Sequence, residues 1–146
     1  NFFELAVATA IALYGPGSGA ALATVVGAVA PPDGAMSDYM ASLAKLATRG
    51  ETIYFPGHGP AIKDAPRFVN YYILHRKARE ASILYRLAKG ETDIPTIVRT
   101  VYIGIDPRLT GAAGLSVLAH LEDLVTRGLV ATDGQPAIDG VYRLAE

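Results

Sequence analysis

Apolar positions recur along most of this chain at helical spacing, interrupted by short β-branched runs and by proline and glycine. Tyr39, Leu43 and Leu46 share one helical face, and the turn Pro31-Pro32-Asp33-Gly34 precedes them. The spacing predicts a helix from Ser37 to Thr48 with Ser37 at its N-cap, ended by Arg49-Gly50-Glu51. Thr52, Ile53, Tyr54 and Phe55 then read as the end of a buried strand, stopped by Pro56-Gly57. A longer helical stripe runs from Ala65 to Lys89 through Phe68, Tyr72, Leu74 or His75, Ile83, Leu84 and Leu87. Pro66 opens it and Gly90 follows it. Helix and strand alternating in this way predict a βαβ-like unit in a layered α/β fold, where ligand positions gather at strand ends.

The pattern changes after Glu91. Thr92-Asp-Ile-Pro95 opens a short helix through Ile97, Val98, Val101 and Tyr102. Asp106-Pro107 opens a longer one through Leu115, Leu118, Leu121, Leu124 and Val125, closed by Gly128. Leu129–Thr132 and Val141–Leu144 read as two strands of a hairpin. Two helices and a hairpin after a preceding helix give the order of a winged helix-turn-helix.

The first thirty residues are apolar on both sides of Tyr14-Gly-Pro-Gly-Ser-Gly19, with Glu4 the sole acidic residue before Asp33. Neither run reaches the about 18 residues needed to cross a bilayer, and no basic stretch precedes the first, so a membrane is not expected. Buried elements such as a Val25-Val26 strand need a sheet to cover them, which leads to the expectation of a longer chain or an incompletely traced start.

Composition narrows the classes. With 146 residues, 51% of them hydrophobic, the chain is long enough for a substantial core and is globular rather than disordered. Thirteen basic against fourteen acidic residues give a formal net charge of -1, which advertises neither nucleic acid nor an anionic surface. The absence of cysteine removes disulfides and thiolate metal sites and suits a reducing cytoplasm.

Candidate chemistry centres on His58, in Tyr54-Phe-Pro-Gly-His-Gly-Pro-Ala-Ile62. Glycine on each side removes the Cβ atoms that would crowd an ion, so the imidazole at a strand exit suits metal ligation, while a satisfied structural histidine is the bland alternative. Asp33 and Asp38 have ordinary roles in a turn and a first helical turn. The long helix is locally cationic, with Arg67, Arg76, Lys77, Arg79, Arg86 and Lys89 against Asp64 and Glu80. One reading is a solvated face with an (i, i+4) pair between Arg76 and Glu80; the other is a rim on which Arg76 and Arg79 draw an anionic substrate in. His75 is expected to be structural, bonding between this helix and the preceding domain, and His120 to be buried or at an interface. From Thr92 on there are four arginines, no lysine and seven acidic residues, and the helix in the recognition position has no basic residue aimed at a base edge. Nucleic acid is disfavoured as a partner.

The segments Ala-Pro-Pro-Asp-Gly-Ala-Met-Ser-Asp-Tyr-Met-Ala-Ser-Leu, Tyr-Phe-Pro-Gly-His-Gly-Pro-Ala-Ile and Tyr-Ile-Leu-His-Arg-Lys-Ala-Arg-Glu together resemble one group of proteins. It is the metallo-β-lactamase-fold hydrolases of the β-lactamase-like protein 2 type, and the resemblance runs from about Ala30 to the end. It implies an α/β fold class, the C-terminal part of an αββα metallo-β-lactamase fold followed by a winged helix-turn-helix domain. The divisions are 1–64 for the incomplete metallo-β-lactamase-like domain, 65–90 for a connecting helix and 91–146 for the winged helix. His58 matches the last zinc-binding histidine of the family, serving the second of two metals. The chain departs from the family in lacking the His-x-His-x-Asp-His loop, a further histidine and the bridging aspartate. One histidine cannot make a zinc centre that activates water. The implied function is the C-terminal portion of a zinc-dependent hydrolase acting on an ester, thioester or phosphodiester, inactive by itself. The alternative is a non-catalytic winged-helix interaction or nucleic-acid-binding module. A homo-oligomer stays open, because uncovered apolar runs also suit an interface.

Overall fold

Helix α1, Met36–Ala47, forms where apolar residues three and four apart can face one neighbour: Met36, Tyr39 and Leu43 are its buried positions. The computed structural model describes residues 35–55 and 61–146. The expectations for the first thirty residues, Asp33, the Pro56-Gly57 turn and His58 lie outside them. Ser37 is not the cap. Ala35 holds that position in extended backbone with no side-chain bond, and Ser37 already lies within the helix.

The expected strand Thr52–Phe55 is not formed. Tyr54 makes a single antiparallel bridge to Ile62, with Tyr54 N donating to Ile62 O at 3.0 Å and Ile62 N to Tyr54 O at 2.9 Å. Ile53 and Phe55 are 46% and 80% exposed, because the one bridge covers neither face of this segment. The Tyr54 hydroxyl donates to Leu46 O, and Ala65 N to Thr52 O, which tie the bridge to the end of α1 and the start of the next helix.

That helix, α2, is Ala65–Ala88, with Pro66 in its first turn and the Asp64 side chain accepting from Arg67 N. Ala65, Val69, Tyr72, Arg76, Ile83 and Leu87 are its buried residues. Leu74, placed in the stripe as an alternative to His75, is 66% exposed; the seam passes through Tyr72 and Arg76 instead. Helix α3, Ile94–Val101, is capped by Asp93 accepting from Thr96 N at 2.8 Å. A 3-10 turn, Pro107–Leu109, capped by Asp106, leads into α4, Thr110–Thr126. Strands β1, Val130–Thr132, and β2, Tyr142–Leu144, pair antiparallel with Val130 opposite Leu144 and Thr132 opposite Tyr142.

Two cores result. Ile83 and Leu87 of α2 join Ile94, Ile97 and Val98 of α3, Val117, Leu121 and Leu124 of α4, Val130 and Tyr142. Met36, Tyr39 and Leu43 of α1 join Val69 and Tyr72 of α2 and Ala119 of α4. Helix α2 is thus one rod whose first half belongs to the α1 core and whose second half belongs to the winged-helix core. Helix α4 serves both, so Ser116 through Leu121 are buried without interruption, on every side of the helix.

Candidate functional site

The bridge between Tyr54 and Ile62 holds the two ends of the Gly-His-Gly segment side by side. Phe55 before it is the most exposed aromatic side chain among the described residues. His58 itself lies outside the described residues. Among these, no three His, Cys, Asp or Glu side chains gather so as to hold a metal ion. They do not by themselves fit a two-metal centre.

The long helix carries the other predicted residues. Arg76 is 4% exposed, so it is not on a solvated face. Its guanidinium carbon lies 5.5 Å from the centre of the Tyr39 ring on α1. The pair expected between Arg76 and Glu80 does not form: Glu80 accepts from Arg127 of α4 at 2.6 Å, because α4 brings a guanidinium to that side of α2. Arg79 turns toward α3, donating from Nη1 to Val101 O at 2.9 Å with its guanidinium 3.9 Å over the Tyr102 ring. Arg76 is thus buried and Arg79 half-buried.

His75 stacks on Tyr71 at 6.1 Å, and its Nδ1 is buried with no hydrogen-bond partner; the bond expected from it is not found. Burial, then Arg76 and Arg79, hold its pKa below the ordinary histidine value. His120 on α4, expected to be buried or at an interface, is 1% exposed, and neither ring nitrogen has a partner. Burial first, then the positive field of Arg76, Arg79, His75 and Arg127, pushes its pKa down to about 3, so the ring is neutral. The Tyr39 hydroxyl and Arg76 Nε are also buried and unpartnered. Burial raises the Tyr39 pKa, opposed by the charge of Arg76 and by the nearness of its guanidinium to the hydroxyl, although the two groups do not meet in hydrogen-bond geometry.

These side chains form one polar cluster where α1, α2 and α4 meet. Sequence reasoning took them singly and gave Tyr39 a place on the apolar face of α1 without a polar role. The signal was present: Val69, Tyr72, Arg76, Arg79 and Ile83 follow one another at spacings of three and four, which sets the arginines on the helix's buried seam.

The cationic candidates of the winged helix are mostly paired. Arg108 bonds Asp106, Arg127 bonds Glu80 and Asp123, and Arg143 bonds Asp133. No helix among the described residues is long and apolar enough to cross a membrane.

Comparison with known proteins extends this geometry. Residues 94–139 match the beta-lactamase associated winged helix domain. A "Beta-lactamase-like protein 2 homolog" of Drosophila melanogaster is 33% identical over 94 residues, covering 62% of this chain and 32% of that protein. The Caenorhabditis elegans protein of the same name is 41% identical over 56 residues, covering 38% of this chain and 19% of its own. Among solved structures, a metallo-beta-lactamase family protein from Thermus thermophilus superposes with a TM-score of 0.59 at 24% identity. A beta-lactamase domain protein from Burkholderia ambifaria gives 0.65 at 20%, and each covers 75% of this chain and 33% of the other. The chain spans about a third or less of the length of these relatives.

Proposed function

We propose, from the premise that this chain carries the C-terminal winged helix of a metallo-β-lactamase-fold protein, that it is the C-terminal portion of a zinc-dependent hydrolase. The substrate class is an ester, thioester or phosphodiester. The observation that carries the reading is the match over 94–139 to a winged helix named for its association with β-lactamase domains, joined through α2 to the segment that bears His58.

In this reading zinc, when bound, supplies a water molecule acidic enough to act as a hydroxide near neutral pH. The residues of this chain do three things. His58 is the one metal ligand the chain contributes. The Tyr54–Ile62 bridge joins the residues that flank the Gly-His-Gly segment, and the bonds of Tyr54 to Leu46 and of Ala65 to Thr52 tie it to α1 and α2. The winged helix, rigidly continuous with α2, walls one side of the cleft. By itself the chain is inactive, since one histidine leaves most of the coordination to other residues.

A nucleic-acid-reading role has less support. Ser116 to Leu121 of α4 are enclosed by protein, and the neighbouring arginines are engaged with carboxylates, so few cations are left for phosphates.

Metal analysis tests the proposal. In a form spanning the full length of the relatives, zinc near one or two per chain is expected, with the second ion lost in His58→Ala and hydrolysis reduced at least tenfold. Unchanged zinc and activity in that variant would remove His58 from the site.

A further inference from the structure

Five buried polar atoms at the α1, α2 and α4 junction have no hydrogen-bond partner: Tyr39 Oη, His75 Nδ1, Arg76 Nε and both ring nitrogens of His120. They belong to neighbouring groups, since Arg76 lies over the Tyr39 ring and Ala119, next to His120 on α4, packs in one core with Tyr39 and Tyr72. Leaving one such donor unmet costs about 1–3 kcal/mol, and enclosing a guanidinium without a countercharge costs several more.

The charge in this cluster has one sign. The ionisable groups that face His120 are Arg76, Arg79, His75 and Arg127, and those that face His75 are Arg76 and Arg79. The nearby carboxylates of α2 and α4, Glu80 and Asp123, are both committed to Arg127. Arg76 has no ion pair with any of the described residues. A buried water could accept from a donor here, but it would leave the positive charge uncompensated. An oxyanion does both, because its oxygens accept from several N–H and O–H groups and its charge balances the guanidinium.

We propose that Tyr39, His75, Arg76 and His120 form an internal receptor for one oxyanion group, a carboxylate or a phosphate-like anion, held by Arg76 and bonded by the hydroxyl and the two imidazoles. The anion is one that enters from solution. This rests on packing among described residues and holds whether or not the zinc reading does.

The test follows the imidazole nitrogen signals of His75 and His120 by NMR in the intact chain, titrated with sodium acetate or phosphate against chloride at constant ionic strength. A free anion gives a saturable shift of the His120 signals, with affinity rising as pH falls because the bound anion favours the imidazolium. Arg76→Gln then weakens binding roughly tenfold or more. Should that variant not fold, Arg76→Lys keeps the charge, loses Nε, and is expected to weaken binding by a similar factor. The proposal is overturned if acetate and phosphate leave His120 unmoved in the unaltered chain. An equal response with Arg76 replaced also overturns it.

Discussion

Arg79 lies face-on over Tyr102, its guanidinium carbon 3.9 Å from the ring centre, and the Tyr102 hydroxyl in turn donates to Ser116 Oγ at 3.2 Å. One residue of α2, the end of α3 and the buried middle of α4 are thereby linked in series. The same guanidinium bonds Val101 O, satisfying a carbonyl at the last turn of α3 that has no helical partner of its own. Losing a charge-assisted bond and a sheltered cation–π contact together, Arg79→Ala should lower unfolding stability by about 2 kcal/mol. Arg79→Lys should recover less than half, because an ammonium lacks the planar fork that stacks and donates at once. Urea unfolding of the three proteins decides it; equal midpoints would show the contact to be energetically idle.

Tyr142 anchors the wing. Its ring is fully buried in the winged-helix core, and its hydroxyl donates to Ala137 O at 2.6 Å while accepting from Ala137 N at 2.9 Å. Tyr142 N also donates to Thr92 O, so one residue joins the hairpin to the entry of α3. Tyr142→Phe keeps the ring and strands two polar groups, a loss of about 1–2 kcal/mol. Tyr142→Ala adds a cavity, for about 3–5 kcal/mol in all, and should release the 133–141 loop first. Amide hydrogen exchange at Ala137 and Tyr142 reads both; protection persisting in the alanine variant counts against this account.

The neutral state of His120 sets a pH dependence. Its pKa of about 3 in the folded protein lies below the ordinary 6.5 expected on unfolding. The unfolded chain therefore binds the proton first. Stability is full above about pH 6.5 and falls as pH drops toward 3, at up to about 1.4 kcal/mol per pH unit. His75, depressed in the same direction, adds to the slope. Melting temperatures from pH 7 to pH 4 should decline less steeply in His120→Gln than in the unaltered chain. Parallel curves would mean that another group governs acid sensitivity, or that an anion already holds His120 protonated.

Helices α2 and α3 were legible in the sequence because each has a start signal and a spacing that agree, whereas α1 and α4 were found from spacing alone, neither having a side-chain cap. Asp93 and Pro95, or Asp64 and Pro66, place a cap and a compatible first turn just ahead of an apolar stripe. The winged-helix order followed from the same cues plus the hairpin around Asp133-Gly134. The Thr52–Phe55 strand was misread because β-branched and aromatic residues report fit to a half-buried sheet surface, not the presence of a partner strand. Ile53 and Phe55 find none among the described residues. The solvated-face reading failed at Arg76 for a related reason: a charged residue on a helix was assigned to solvent by type, whereas position on the three-and-four seam put Arg76 inside. Which carboxylate meets which arginine is settled by how α2 and α4 pack. Glu80 and Arg127, 47 residues apart, could not be paired by local spacing.

Three glycines of the winged helix separate conformational need from mere composition. Gly128 follows α4 at φ 71°, a backbone region that costs a residue with a Cβ roughly 1–2 kcal/mol, so Gly128→Ala should destabilise by about that much. Gly111, in the first turn of α4, has open space where its Cβ would be, and there alanine should stabilise by about 0.5–1 kcal/mol through lower backbone entropy in the unfolded chain. Gly114 is intermediate: a Cβ would meet Ile138 Cδ1 at 3.4 Å and Ile94 Cγ2 at 3.7 Å, ordinary contact for alanine but no room for leucine. Gly114→Ala should therefore be neutral or mildly stabilising, and Gly114→Leu should cost about 1–3 kcal/mol by forcing the wing loop off α4. Thermal unfolding of the four variants gives the order. A Gly111→Ala variant no more stable than the unaltered chain would count against the entropy account.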